Sequence, residues 1–246
     1  MQSLEESNMV NKKCPHDLRG GFQKALSFFP ELKNVPIFIH EMRFYGVQHT
    51  VRSYPPYVIL HWPKSKWVYP IILNKTKGIS INFYDLNFDE QVGLLTHELS
   101  HISDFIKFSR YDILKFTFKY AFNKNFVKKL EKDTDIKVIS RGGGIYLMKW
   151  RIYSSRARIA RPYREMADTY MTTSEFLKEM KLFQNLYSED ILRNFQVEVD
   201  ELQTNKKVYN ISVYRNFKHS IKTIFDFLIQ FVKMFYLVPV KRFHQK

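Results

Sequence analysis

Residues 87–106 read NFDEQVGLLTHELSHISDFI, and this stretch decides the fold that the sequence predicts. Asn87, followed three residues later by Glu90, is typical of a helix N-cap with its reciprocal partner. Apolar residues then recur at helical spacing, at Val92, Leu95, Leu99, Ile102 and Phe105 or Ile106. The stretch therefore predicts a helix that turns one apolar face toward a core.

Two histidines of that helix stand four residues apart, at His97 and His101, and Glu98 directly follows the first of them. Residues four apart lie on one face of a helix, so both imidazoles can bind a single Zn²⁺ ion. Glu98 is close enough to activate a water at the metal as a general base without being a ligand. The pattern predicts a zinc-dependent hydrolase. The competing interpretation is a solvated helix with two surface histidines.

A catalytic zinc site needs a third protein ligand. Glu131 is the strongest choice, because it lies on the next predicted helix, which can fold back antiparallel to the first. Asp135 lies one turn further along the same face, where it can accept the N–H of a ligating imidazole and fix its orientation. The alternative for Glu131 is an ordinary surface charge on a lysine-rich helix.

Other acidic residues compete for these roles. Glu165 and Asp168 form a second acidic pair on a helical segment, but they lack the spacing of Glu131 and Asp135 and rank second as ligands. Asp104 follows the second histidine closely and is either an outer contact of the metal site or a solvated acid. The segment after His101 lacks the Gly and His that a metzincin site requires.

A His-Glu-x-x-His helix followed on a later helix by Glu-x-x-x-Asp resembles the gluzincin metallopeptidases. The strings HELSHISDF and EKDTDIKVISRGGG are also similar to a group of small bacterial zincin-like proteins. The resemblance covers residues 68–142 and is strongest at 94–105 and 130–144. It implies a peptidase with a peptide or protein substrate, Zn²⁺ as cofactor and the following site residues: His97, His101 and Glu131 as ligands, Glu98 as base and Asp135 as outer-shell acid.

The chain departs from the gluzincin pattern in two ways. The interval from His101 to Glu131 is longer than in thermolysin-like members, and the clear transmembrane helices of the related membrane peptidases are absent. A substrate therefore does not carry over from the resemblance.

The developing negative charge in such a reaction needs a second electrophile. Several tyrosines and arginines that follow the metal helix are candidates, each more readily explained as structural: Tyr146, Tyr153, Arg156, Tyr163 and Arg164. The strand-like run from Gly78 to Tyr84 is a candidate edge strand for an extended peptide, and an ordinary internal strand is equally compatible.

The predicted fold class is α+β, with a small N-terminal β-sheet, a zincin-type active-site helix and a mostly helical C-terminal part. Runs rich in Val, Ile, Tyr and Phe predict three or four strands between residues 36 and 84. Helices are predicted over 112–140, 145–157, 172–186 and 212–237, together with one that Ser188 caps. Gly142–Gly144 is predicted to end a helix.

A chain of 246 residues can bury a sizeable core. We predict a polar, flexible N-terminus over residues 1–20, a catalytic domain over 21–204 and a basic amphipathic C-terminal helix and tail over 205–246, packed on that domain. The single cysteine, Cys14, excludes an internal disulfide, and the first 20 residues contain no secretory signal. A cytoplasmic protein is expected, either free or peripheral to a membrane.

The net charge is +15, and residues 205–246 carry nine Lys or Arg against one acid. Residues 149–164 carry six Lys or Arg and no acid. Such blocks attract anionic surfaces, such as membranes or nucleic acids, although solvated faces explain them equally well. A second hypothesis is therefore a non-catalytic zinc-binding module for an anionic partner. The third is a nucleic-acid-binding protein in which the histidine motif is accidental.

The segment Phe105–Phe126 interleaves aromatic residues with lysines and arginine. This pattern suits stacking on single-stranded nucleic acid or an interfacial helix. Core packing is the commoner cause of such a stripe, and it is the interpretation that the sequence favours.

Overall fold

The computed structural model of the chain describes residues 11–43, 50–56, 63–76, 81–159 and 169–208. Within these ranges it contains four β-strands and seven α-helices, which is an α+β architecture with the sheet in the N-terminal part. Among the described residues, no helix is both long and apolar enough to cross a membrane. The predicted C-terminal helix over 212–237 lies outside the described residues.

The sheet contains β1 (Lys12–Lys13), β2 (Ile37–Met42), β3 (Val51–Ser53) and β4 (Tyr69–Asn74). Its strand order is β1-β2-β4-β3, with β2 parallel to both β1 and β4, and β3 antiparallel to β4. Every residue of β4 is buried, which agrees with its almost continuous apolar sequence. The short strand β3 lies at one edge of the described sheet.

The N-terminal boundary differs from the predicted one. Residues 12–13 pair with β2, and Leu18 is buried in the core just before helix α1 (Arg19–Leu26). Residues 11–20, predicted as part of a flexible terminus, are therefore part of the fold, because one strand and one apolar anchor attach them to it.

The candidate strand from Gly78 to Tyr84 is described only from residue 81 onward, because residues 78–80 lie outside the described residues, and the described part is not a strand. Residues 83–85 form a 3-10 turn in which the Asn82 side chain accepts a hydrogen bond from the Tyr84 N–H. This local side-chain bond competes with strand pairing, since Asn readily bonds the backbone two residues ahead. The edge of the described sheet is formed by β3 instead.

Helix α2 spans Phe88–Phe105 and begins with the predicted capping box between Asn87 and Glu90. It is buried on nearly all sides rather than on one apolar face, because α1, β3 and two later helices pack around it. One of these, α5 (Gly144–Ile159), crosses it closely at Gly93. A Cβ atom at Gly93 would lie 2.2 Å from the Tyr146 carbonyl oxygen, so only glycine fits this crossing.

The region predicted as one helix over 112–140 contains two. Helix α3 (Arg110–Phe122) starts at a capping box between Ser109 and Asp112, and α4 (Lys124–Ser140) follows it directly. Asn123 separates them: its backbone leaves the helical region, and its side chain caps α4 by accepting the Phe126 N–H.

Helix α4 ends at the predicted glycines. Gly142 has a φ of 84°, in the left-handed region that favours glycine. The N–H groups of Gly142 and Gly143 donate to the carbonyls of Ile139 and Val138, the pairing of a Schellman motif. Helix α5 begins immediately afterwards, and both α4 and α5 pack against α2.

The remaining described helices are α6 (Thr173–Leu182) and α7 (Glu189–Val208). Thr172 and Glu175 form the predicted capping box of α6. Both helices pack on α5 and on each other, and α6 also contacts α4. They complete the helical layer behind the two helices that carry the site.

Candidate metal centre

The two histidines of α2 meet the predicted third ligand of α4. His97 Nε2 lies 3.0 Å from Glu131 Oε2 and 3.2 Å from His101 Nε2. The distance from His101 Nε2 to Glu131 Oε2 is 3.4 Å. All three side chains are buried, and among the described residues they form the one group of His, Cys, Asp or Glu side chains with the geometry to hold a metal ion.

The spacing of these donor atoms fits a tetrahedral metal. Ligands at about 2.0–2.1 Å from a tetrahedral Zn²⁺ lie about 3.3 Å from one another. The three donor separations, 3.0, 3.2 and 3.4 Å, bracket that value. Two imidazoles and one carboxylate would occupy three of the four positions around such an ion, and catalytic zinc sites commonly have three protein ligands of these types.

The outward-facing nitrogens of both rings have partners that hold the rings in place. His97 Nδ1 lies 3.0 Å from Asp135 Oδ1, and His101 Nδ1 lies 3.4 Å from Thr134 Oγ1. The Thr134 hydroxyl donates to the Leu130 carbonyl, so it is free to accept from the His101 N–H. In the neutral form that a metal requires, a proton on Nδ1 of each ring would leave the Nε2 lone pair facing the centre.

Arg151 of α5 binds Asp135, the partner of His97. Its guanidinium donates to both oxygens of Asp135, at 2.7 and 2.5 Å, and both side chains are buried. The ring of Tyr170 covers the guanidinium, with 4.7 Å between the guanidinium carbon and the ring centroid. Asp135 therefore joins His97 to a buried cation.

Arg151 was missed as a site residue, because it belongs to the basic block 149–164 that the sequence analysis assigned to the surface. Within that block, Arg156 is exposed and pairs with Glu198, and Lys149 pairs with Asp89. Only the packing of α5 against α2 and α4 distinguishes Arg151 from its neighbours.

Glu98 is held next to the ligands by the edge strand. The backbone N–H and the hydroxyl of Ser53 both donate to Glu98 Oε2, at 2.5 and 2.7 Å. Both bonds are accepted by the same oxygen, Oε2, and they orient the carboxylate. Ser53 lies 45 positions before Glu98, so no local sequence pattern indicated the contact.

Glu98 and the three ligands line one cavity that opens to solvent. Strand β3 forms one wall, α3 and α4 another, and Tyr170 closes the side near His97. The guanidinium of Arg52 also lines the cavity, with its carbon 4.9 Å from the centroid of the Tyr120 ring. The cavity thus holds charged groups of both signs, Arg52, Glu98 and Glu131, beside aromatic side chains.

Three of the candidate electrophiles named from the sequence lie in the described residues, and none of these three lines the cavity. The rings of Tyr146 and Tyr153 lie against Phe28 and Trp150, respectively, and Arg156 pairs at the surface. Tyr163 and Arg164 lie outside the described residues. The groups that line the cavity come from other segments and were missed: Arg52, Tyr54, Tyr120 and Tyr170.

Of the rival acidic residues, Asp104 pairs with Lys137 at 2.5 Å and does not join the metal group. The structure therefore assigns it to a partly exposed ion pair between α2 and α4. Glu165 and Asp168 lie outside the described residues, and their ranking below Glu131 stays a prediction.

In the metal-free site, hydrogen bonds and neighbouring charges outweigh the effect of burial on the pKa values of three side chains, His97, Glu131 and Asp135. Burial alone would lower the pKa of His97, but hydrogen bonds and charges from Asp135 and Glu131 raise it to about 10. Although burial opposes ionisation of Glu131, the two histidines hold its pKa well below the usual range. The charge of Arg151 likewise outweighs burial and lowers the pKa of Asp135. Without a metal, His97 is therefore an imidazolium between two carboxylates.

We predict that zinc binding releases a proton from His97. Because its pKa is about 10, the apparent zinc affinity of the metal-free chain should rise about tenfold per pH unit near neutrality. Isothermal titration in buffers of different ionisation enthalpy should detect about one proton released per zinc. A binding heat that is the same in all buffers would contradict this. The stability of the metal-free chain changes in the opposite direction with pH. Its free energy of unfolding loses the His97 contribution as the pH rises through about 10.

Comparisons with protein-family models, with curated proteins and with solved structures found no significant match. The resemblance to gluzincins therefore rests on the motif residues, and the family assignment is a proposal.

Proposed function

We propose that this protein is a zinc-dependent hydrolase of gluzincin type that cleaves peptide bonds. The observation that carries the proposal is the convergence of His97, His101 and Glu131 at tetrahedral spacing, in a cavity that also holds Glu98. A bound zinc ion supplies Lewis acidity, which polarises a carbonyl group and lowers the pKa of water.

The chain supplies the general base. Glu98 Oε2 is occupied by the two Ser53 donors, which leaves Oε1 to accept a proton from the attacking water and to deliver it to the leaving amine. Asp135 and Arg151 keep His97 in the tautomer that presents Nε2 to the centre. In this proposal Arg52, Tyr120 and Tyr170, which line the cavity, stabilise the negative charge that develops on a substrate oxygen.

The edge strand is suited to hold an extended substrate. Strand β3 lines the cavity and, within the described sheet, has a neighbouring strand on one side only. A peptide that adds to such an edge uses main-chain hydrogen bonds and tolerates many side chains. In this proposal β3 takes the role that the sequence analysis gave to Gly78–Tyr84.

Replacing Glu98 by glutamine tests catalysis apart from metal binding. The variant keeps the size and the hydrogen-bonding capacity of the side chain but cannot accept the proton, so we expect hydrolysis to fall about 10²–10⁴-fold. Zinc content should be unchanged, because Glu98 is not one of the three converging ligands. The measurement is cleavage of a mixture of fluorogenic peptides, followed by mass spectrometry, beside elemental analysis of both proteins.

Two outcomes would overturn the proposal in different ways. Stoichiometric zinc without cleavage of any peptide by the unaltered chain would favour the non-catalytic zinc module. Equal cleavage by the unaltered chain and by Glu98→Gln would show that the activity belongs to a contaminant or to another site.

A further inference from the structure

Helix α3 exposes an apolar stripe that nothing else in the described part of the chain covers. Four large side chains are largely solvent-accessible: Tyr111 (70%), Leu114 (52%), Phe118 (67%) and Phe122 (64%). At 3.6 residues per turn they fall within an arc of about 80° on one side of the helix. The rings of Phe118 and Phe122 contact each other, with their centroids 4.8 Å apart.

The opposite face of α3 is the one that packs in the core, so the exposed stripe is a separate surface of the helix. Ile113 and Phe116 are buried, and Phe116 and Tyr120 line the site cavity. The core packing that the sequence analysis favoured for Phe105–Phe126 accounts for this inner face alone. The outer face needs another explanation, because contiguous exposed apolar surface usually marks an interaction site.

Cations border the stripe on both sides. Arg110 lies on one edge of the arc, and Lys115 and Lys119 lie on the other. The acid of the helix, Asp112, is occupied by the N–H and hydroxyl of Ser109. Its pKa is lowered by those hydrogen bonds and, to a smaller extent, by the charges of Lys115 and Lys64.

We propose that this face of α3 binds an anionic lipid membrane surface, with Tyr111, Leu114, Phe118 and Phe122 entering the interface and Arg110, Lys115 and Lys119 contacting lipid headgroups. An apolar stripe with aromatic residues, flanked by cations, is the pattern of helices that lie in the membrane interface. Self-association through this face is disfavoured, because it would bring the basic borders of two copies together. Since the inner face of α3 lines the site cavity, the contact places the cavity beside the membrane.

The test is co-sedimentation of the full chain with vesicles of phosphatidylcholine, with and without one part in three of phosphatidylserine. We expect binding only with phosphatidylserine, and its loss when salt rises from about 0.1 M to about 1 M, since the screening length falls from about 10 Å to about 3 Å. The double variant Phe118→Ser/Phe122→Ser should bind at least about tenfold more weakly. Lys115→Glu/Lys119→Glu should do the same, because each cation near the surface contributes about fivefold.

Matched controls lie on α6. Leu182→Ser removes an equally exposed apolar side chain (71%), and Lys178→Glu/Lys181→Glu makes the same change in net charge on exposed lysines. Both should bind like the unaltered chain. Weakening by the α6 controls equal to that by the α3 variants would overturn the proposal, since it would indicate a non-specific charge effect. Vesicle binding that survives both α3 variants would place the contact elsewhere in the chain.

A second test distinguishes the membrane from other partners that could cover the stripe. A fluorescent dye is attached to the cysteine of a Phe118→Cys variant that also carries Cys14→Ala. We expect an environment-sensitive fluorophore to report water in buffer and an apolar medium with phosphatidylserine vesicles. An apolar signal already in buffer would show that the chain itself or a second copy covers the stripe, and light scattering would separate these two. Tighter binding to single-stranded RNA than to vesicles would also overturn the proposal. None of these measurements requires zinc or hydrolysis.

Discussion

Replacing Glu131 by alanine is expected to abolish stoichiometric zinc binding. The side chain is buried and supplies one of three donors at tetrahedral spacing, so its loss leaves two histidines. Loss of an outer-shell partner already costs about 10–100-fold in metal affinity, and loss of a ligand should exceed that range. Elemental analysis of untagged protein should give about one zinc per unaltered chain and a sharply lower value for the variant.

Asp104→Ala is the matched control for Glu131→Ala. Asp104 is an acid between the same two helices, but it pairs with Lys137 rather than with the metal group. Zinc content should therefore remain at the level of the unaltered chain. Full zinc occupancy in Glu131→Ala would contradict Glu131 as the third ligand, and Glu165 and Asp168 would then be the next candidates. Absence of zinc from the unaltered chain, even after zinc was supplied, would refute the metal-site proposal itself.

The second large effect is expected for Arg151→Met, which removes the cation behind Asp135. Breaking one partner of a buried ion pair costs about 3–5 kcal/mol, because the other charge stays buried without compensation. Since Asp135 also holds His97 at 3.0 Å, zinc affinity should fall by about 10–100-fold as well. Chemical denaturation of the metal-free chain and zinc competition with a chelator measure the two effects separately.

Arg156→Met provides the control on the same helix. Its partner is Glu198, and the pair is about half exposed, at 54% and 38%, so its removal should cost less than about 1 kcal/mol. The double variant Arg151→Met/Asp135→Asn should recover part of the lost stability, because it removes the unpaired charge. A loss of stability in Arg151→Met no larger than in Arg156→Met would contradict a supporting role for this ion pair.

Local patterns in the sequence were enough to predict the helix of His97 and His101 and the end of α4, although not the start of α4 at Asn123. The capping boxes at Asn87 and Thr172 and the glycine end of α4 depend on contacts within a few residues, and the structure contains all three. The spacing of His97 and His101 likewise places both rings on one face through helix geometry alone. The choice of Glu131 needed one further assumption, that the second helix folds back on the first, and the structure has that packing.

Strand assignment was less reliable, for a physical reason. Strand β3 has three residues, too few for a periodic pattern, and its pairing with β4 arises from tertiary contacts. The longer run from Gly78 to Tyr84 had the β-like composition, yet the Asn82 side chain stabilises a turn over residues 83–85. Composition therefore indicated a sheet in this region but not which segment forms its edge.

The sequence by itself determined the α+β class, the helix that carries His97 and His101 on one face, and the candidate third ligand Glu131, because these follow from periodicity, capping and side-chain chemistry. Only the tertiary structure decided which distant residues support them. Ser53 reaches Glu98 from β3, and Arg151 reaches Asp135 from α5. It also separated the buried Arg151 from the exposed Arg156 and the buried from the exposed aromatics of α3. Charge and apolarity are properties of a residue, whereas burial depends on what packs against it.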